Sequence, residues 1–402
     1  MLLLRYHLSY QLVLKLNLTF VHNNYMKLSL TFILCVLIIF VSSCATTALD
    51  KKNFEDDEKS KDFILNQINR SSNEGIINII SKLYKLEKLN ASEKDLLVVS
   101  LKNGDIKKSY SNEIEKLFKH SQKIYSSGLK LSIRTSEKNK EMLVQSLLQE
   151  NILFNISFSE NDFFEINDDV FKSNLKFYCK SFIEEQNNKL ADKLLGKEKI
   201  LIVYSSDYEE DANALKLNNS DHIFLEISDK NYENKIQNTL EIFDSSNKAE
   251  LISSFDRNLK IEHAPRLRQD LKKIYFLVGY NEGKSVVPFV KSFSTDLQLF
   301  SSTVIFHEAD NLNDLADFEN ISIPVSKNFI SKAGNNDFDN LKEKFESLLL
   351  DDYINIEKAH QNNVFNSKII LNTGLTQINR GACVNRNLSF WNIDINSIAD
   401  QS

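Results

Sequence analysis

Glycine and proline are scarce, with nine and three respectively in 402 residues. That excludes a collagen-like or linker-dominated chain. It also leaves no glycine-rich loop to cradle a phosphate, and no Walker, Rossmann or kinase loop can be read. The four cysteines include no C-x-x-C pair, and G-x-S-x-G and H-E-x-x-H are absent as well. His120, His222, His263, His307 and His360 stand singly, and a lone histidine is usually a surface or packed residue. Lysines and arginines are scattered and the net charge is −6, which gives no footprint for nucleic acid and no polybasic membrane patch. No catalytic residue, metal ligand or cofactor-binding residue is assigned, and no cofactor is implied.

What is present is an apolar fraction of 42%, in the ordinary globular range, on a chain long enough for two or three lobes. Residues 26–43 read as an export signal with its own start. Met26-Lys27 is followed by an apolar run, Leu28 to Phe40, then Val41-Ser42-Ser43-Cys44. A basic start, a short apolar core and small residues before the cut define a secretory signal, too short to span a membrane. The Ser-Cys ending resembles a bacterial lipobox, which makes Cys44 the lipidated first residue. Ala45 rather than aspartate after it favours the outer membrane by likeness to other lipoproteins. Residues 1–25, broken by Arg5 and Lys15, are read as a mis-annotated extension ahead of Met26.

The mature chain opens on a charge-dense tether, 44–62, and a helical hairpin over 63–90, where Ile64, Ile68, Ile76, Ile80, Leu83 and Leu86 fall at helical spacings. Residues 91–396 then alternate strands and helices. Strands are expected at Leu96–Leu101, Leu129–Ile133, Ile152–Ile156, Ile200–Tyr204, His222–Ile227, Ile274–Val278, Thr303–Phe306 and Ile321–Pro324. Helices are expected over 106–125, 137–149, 169–195, 231–243 and 339–350. Such alternation means parallel sheets with helices on both faces. Cys179 and Cys383 remain after lipidation, in a compartment where a bridge persists; geometry decides between a disulfide and two thiols.

The most ordered stretch is His263-Ala-Pro-Arg-Leu-Arg-Gln-Asp270. It runs into the apolar strand Ile274–Val278, then Gly279, then a helix with Val286, Phe289, Val290 and Phe293 on one stripe and Pro288 inside it. Near the other end lie Thr373-Gly374-Leu375 and Arg386-Asn-Leu-Ser-Phe-Trp391. The segment Pro265-Arg266-Leu-Arg268-Gln269-Asp270, the strand, Gly279, the Thr373-Gly374 turn and the Arg386-x-Leu-x-x-Trp391 ending together resemble the carboxyl-terminal domain of the penicillin-binding protein activator lipoproteins. The resemblance covers roughly residues 92–395, unevenly, and Asp352-Tyr353 also resembles an Asp-containing stretch of the family.

The resemblance implies an α/β, two-lobed type I periplasmic-binding-protein-like fold. The implied function is that of a non-catalytic outer-membrane lipoprotein that binds and activates a class A penicillin-binding protein, a peptidoglycan synthase. Activators of the well-known type carry a much larger helical domain ahead of this one, and this chain departs from that. The rival reading is a solute-binding lipoprotein of an ABC importer holding a small ligand between the lobes, for which Lys102-Asn-Gly-Asp105 and Ser157-Phe-Ser-Glu160 are candidate loops. Arg266 and Arg268 are read as pairing with Asp270 or capping helix carbonyls, in preference to facing a partner. Trp391 beside Phe390 is read as core in preference to an interface anchor.

Overall fold

The computed structural model describes residues 55–69, 74–158, 164–194, 198–218, 221–227, 231–255, 266–293, 296–334 and 338–394. The export signal, Cys44, His263 and Pro265 lie outside the described residues. From Phe54 onward the chain forms one compact unit. No helix among the described residues is long and apolar enough to cross a membrane.

Four helices come first: α1 (Glu55–Leu65), α2 (Glu74–Tyr84), α3 (Ala91–Asn103) and α4 (Lys108–Ser127). The tether expected through residue 62 is thus shorter, because α1 is docked at its end, with Ile64 buried and Phe63 edge-on to Tyr84 at 5.0 Å. The strand expected at Leu96–Leu101 is part of α3. Its apolar content misled, because the segment is bracketed by helix signals. Asn90 and Glu93 form a reciprocal capping box, and Gly104 closes the helix in the left-handed region at φ +77°. Within α3 only Leu97 and Ser100 are buried, while Leu96, Val98 and Val99 face outward.

The amino-terminal lobe follows with β1 (Leu129–Ser132), β2 (Arg134–Thr135), α5 (Glu137–Gln149), β3 (Phe154–Ser157) and β4 (Glu165–Ile166). β1 and β3 pair in parallel, as do β2 and β4. With α3 in place of a strand, this lobe keeps only two-stranded sheets. The long helix expected over 169–195 begins only at Phe182, as α6 (Phe182–Leu194). Ser181 and Glu184 exchange hydrogen bonds at its start, a capping box that fixes the entry and leaves 170–180 as turns.

The second lobe is built on a six-stranded sheet. Its elements are β5 (Lys199–Tyr204), α7 (Glu209–Asn218), β6 (Ile223–Glu226), α8 (Tyr232–Thr239), α9 (Ile242–Phe255), β7 (Leu271–Leu277), α10 (Tyr280–Lys291), β8 (Gln298–Ser301) and β9 (Ile321–Pro324). The remaining elements are α11 (Lys327–Gly334), α12 (Leu341–Gln361), the hairpin β10 (Ser367–Leu371) and β11 (Gly374–Ile378), and β12 (Phe390–Asn392). The sheet order is β12-β9-β8-β7-β5-β6, parallel except for β12. β7, the signature strand, sits inside it and is buried on both faces. Ile274 and Phe276 join the larger core with Val286, Val287 and Val290 of α10, whereas Tyr275 and Leu277 meet Leu190 and Leu194 of α6 on the opposite face.

Two further expectations are corrected. Thr303–Phe306 is a 3-10 helix, and the strand is β8, just before it; Gln186 holds the backbone N–H and hydroxyl of Thr303, which turns the chain out of the sheet. The helix expected over 231–243 is broken into α8 and α9 at Leu240-Glu241, where Glu241 takes φ +60°. At the break Arg268 N–H donates to the Leu240 carbonyl.

Candidate functional site

The residues singled out by the sequence are far apart in the chain, and the structure gathers them at two fastenings. The first lies at the entrance to β7. Arg268 donates to both oxygens of Asp270 at 2.7 and 2.8 Å, and its Nη1 reaches the Thr239 carbonyl at the end of α8 at 3.4 Å. Lys199 Nζ, at the start of β5, adds a contact to Asp270 at 3.3 Å. The Arg268 guanidinium holds the Asp270 carboxyl well below the usual carboxylate range. One arginine therefore caps a helix end and pins the break before α9, and the Asp270 it holds ties the start of β7 to Lys199 of β5. Arg266 N–H donates to Ser245 Oγ on α9, and Gln269 lies in the turn before β7. Gly279 is the N-cap of α10 in extended conformation. A Cβ there would meet the Glu282 side chain at 2.8 Å.

The second fastening joins the closing segment to the body. Cys179 and Cys383 are bonded, with Cα atoms 5.5 Å apart, within the span a disulfide requires. Beside them Tyr178 bridges Val384. Arg386, buried, meets Glu185 at 3.0 Å and lies 3.7 Å from the centre of the Tyr178 ring. Trp391 is buried in β12, paired with Ile323 of β9. The Thr373-Gly374 turn is held from below by Asp352 of α12, which accepts from Asn372 N, Thr373 N and Thr373 Oγ1 at 2.6, 3.0 and 2.7 Å. Burial raises the Asp352 carboxyl to about 6 against the pull of those hydrogen bonds. Gly374 is at φ +120°, and a Cβ would stand 2.9 Å from the Asn387 carbonyl, so glycine is required there.

Several residues in this frame escaped sequence reasoning. α12 carries Glu346, Glu357 and Lys358 on its buried side. Lys138 of α5 reaches Glu346 at 2.8 Å, Lys176 pairs with Glu357, and Lys358 pairs with Glu150. Burial pushes the Lys358 ammonium down to about 7. The available signal was charge set beside the stripe of Phe345, Leu349, Asp352, Ile356 and Ala359, all of which are buried.

The space outside the carboxyl ends of parallel strands is where folds of this kind hold ligands. At β8 and β9 it is filled by the chain itself. Phe306 and His307, just after β8, and Phe329, just after β9, pack with Phe171, Phe182 and Phe345, all at ring separations of 4.2–6.5 Å. Gln186 ties Thr303 to the Pro324 carbonyl across the same ends. Burial drives the His307 imidazole down to about 3, so it is neutral and packed. His360 stacks on Phe177 at 3.7 Å. The candidate loop Lys102–Asp105 is the end of α3, and half of the second lies outside the described residues. Among the described residues no group of His, Cys, Asp or Glu is arranged to hold a metal ion.

No protein-family model matches the sequence, and no curated protein matches it. Among solved structures the chain matches LpoA from Haemophilus influenzae at 8% identity and TM-score 0.34, over 80% of this chain and 54% of that one. It also matches the LpoA C-domain from the same organism, described as a regulator of PBP1A, at 9% identity and TM-score 0.35, over 69% and 83%. A putative branched-chain amino acid ABC transporter from Rhodospirillum rubrum matches at 9% identity and TM-score 0.36, over 65% and 96%. The chain spans about half the length of the first of these. Its own architecture is mixed α/β, with a parallel-rich sheet flanked by helices.

Proposed function

We propose that this chain is a lipoprotein, anchored through Cys44 to the outer membrane and facing the periplasm, that binds and activates a class A penicillin-binding protein without chemistry of its own. One observation supports this over solute capture: the ends of β8 and β9 in the larger sheet are packed with Phe171, Phe182, Phe306, Phe329 and Phe345, each fully buried. Rings that fill those strand ends leave no room there for a solute, and the body then acts through its outer surface. Activation is then a matter of preferential contact with the active conformer of the synthase, and the coupling equals the difference in affinity for its two states.

The rival reading has one feature in its favour, a polar cavity of about 390 Å³ at the ends of β2 and β4, lined by Arg134, Thr135, Glu165 and Asn167. Thermal-shift titration with amino acids and muropeptides, run beside a glycan-polymerisation assay with the cognate synthase, separates the two. Faster polymerisation without a saturable solute shift supports the activator; a saturable solute shift with unchanged polymerisation overturns it.

A further inference from the structure

The packing of the amino-terminal helices onto the body leaves a space that neither reading uses. α1 rests on β11 and α2 on β10, and Lys368 Nζ lies 4.8 Å from the centre of the Phe63 ring at that contact. Between the helices, the hairpin and the start of α11 is a cavity of about 460 Å³, within the range of small-molecule sites. Its wall is largely apolar, formed by Ile64, Ile77, Ile370 and Leu371, and Gly374 contributes no side chain. Lys61 and Lys85 line it against one acid, Glu74, with Asn78 and Asn328 supplying amides. The lining itself therefore carries two lysines against one carboxylate.

We propose that this cavity is a binding site for a small apolar anion, a hydrophobic body carrying one carboxylate. The apolar body enters against the isoleucines and Leu371, which removes it from water, and the carboxylate remains beside Lys61 and Lys85. Both a free aliphatic or aryl acid and the carboxyl end of a short apolar peptide present this chemistry. Because the Thr373-Gly374 turn forms part of the floor, an occupant also touches the structure that Asp352 anchors.

The test is calorimetric titration of the full chain in lipid nanodiscs, with empty nanodiscs subtracted. The probes are 4-phenylbutyrate and acetyl-Leu-Leu, with 4-phenylbutanol and 4-phenylbutylammonium as controls. One-to-one binding of either carboxylate is expected, and the probe that binds identifies the source. The double variant Lys61→Gln/Lys85→Gln should weaken the carboxylate at least tenfold and leave phenylbutanol unchanged. Asn78→Trp, which places a ring in the cavity from the outer side of α2, should abolish binding while the melting temperature is retained. Absence of saturable binding by both carboxylates, ammonium binding as tight as carboxylate, or binding that survives Asn78→Trp in a folded protein overturns the proposal.

Discussion

Asp352 accepts three hydrogen bonds with no exposure to solvent. Replacing it with alanine strands two buried N–H groups, and Asp352→Ala should cost about 2–4 kcal/mol in urea unfolding. The pH dependence has a definite sign. The carboxyl is raised to about 6 in the folded chain, against about 4 in the unfolded one. Between those values the folded state keeps a proton that the unfolded state releases, so this group's contribution to stability falls as pH rises from about 4 to about 6. Asp352→Asn should remove that part of the slope, and an unchanged slope would assign it elsewhere. Arg386→Met leaves the Glu185 carboxylate buried without its cation and should cost about 3–5 kcal/mol. Arg268 and Asp270 are legible from sequence because partners two residues apart in a polar turn are local. Glu185 is not, because it lies 201 positions from Arg386 and nothing in its own helix announces the pairing.

α3 shows where element reading fails. Leu-Leu-Val-Val-Ser-Leu has strand content, but alternation would put Leu97 and Val99 on one face, and the helix puts them on different ones. Leu97 is fully buried and Val99 is 49% exposed. Leu97→Ala should therefore cost about 2–5 kcal/mol and Val99→Ala less than about 0.5 kcal/mol; equal costs would restore the strand. β5 and β7 were readable because the continuous apolar runs Ile200–Val203 and Ile274–Leu277 suit strands covered on both faces. The breaks at α6 and between α8 and α9 depend on caps and on Arg268, a tertiary contact that periodicity does not carry. At the closing segment the Cys179–Cys383 bridge spans 204 residues. Its reduction should lower unfolding stability by about 2–5 kcal/mol, measured by urea denaturation with and without reductant and in Cys383→Ser. No loss on reduction would show that Arg386 and Trp391 hold the segment alone.

The whole molecule is a small amino-terminal lobe and a larger sheet domain, with a cluster of phenylalanines packed at the ends of β8 and β9. The α/β class and the places of β5, β6, β7 and β9 followed from the sequence, because each βα unit is a local pattern; the order in which the strands lie in the sheet did not. The cluster was not foreseen, since Phe171, Phe182, Phe306, Phe329 and Phe345 come from five separate segments and meet only in the folded chain. The filled strand ends support the proposal that the protein works by contact with a partner, for which we propose a synthase. The measurement that tests this most directly is the rate of glycan polymerisation by a purified class A penicillin-binding protein on its lipid-linked substrate, titrated with the full chain. A saturable rise of at least about fivefold is expected, the lower end of ordinary allosteric coupling. A rate that does not change at saturating concentration, with the protein folded and lipidated, contradicts it.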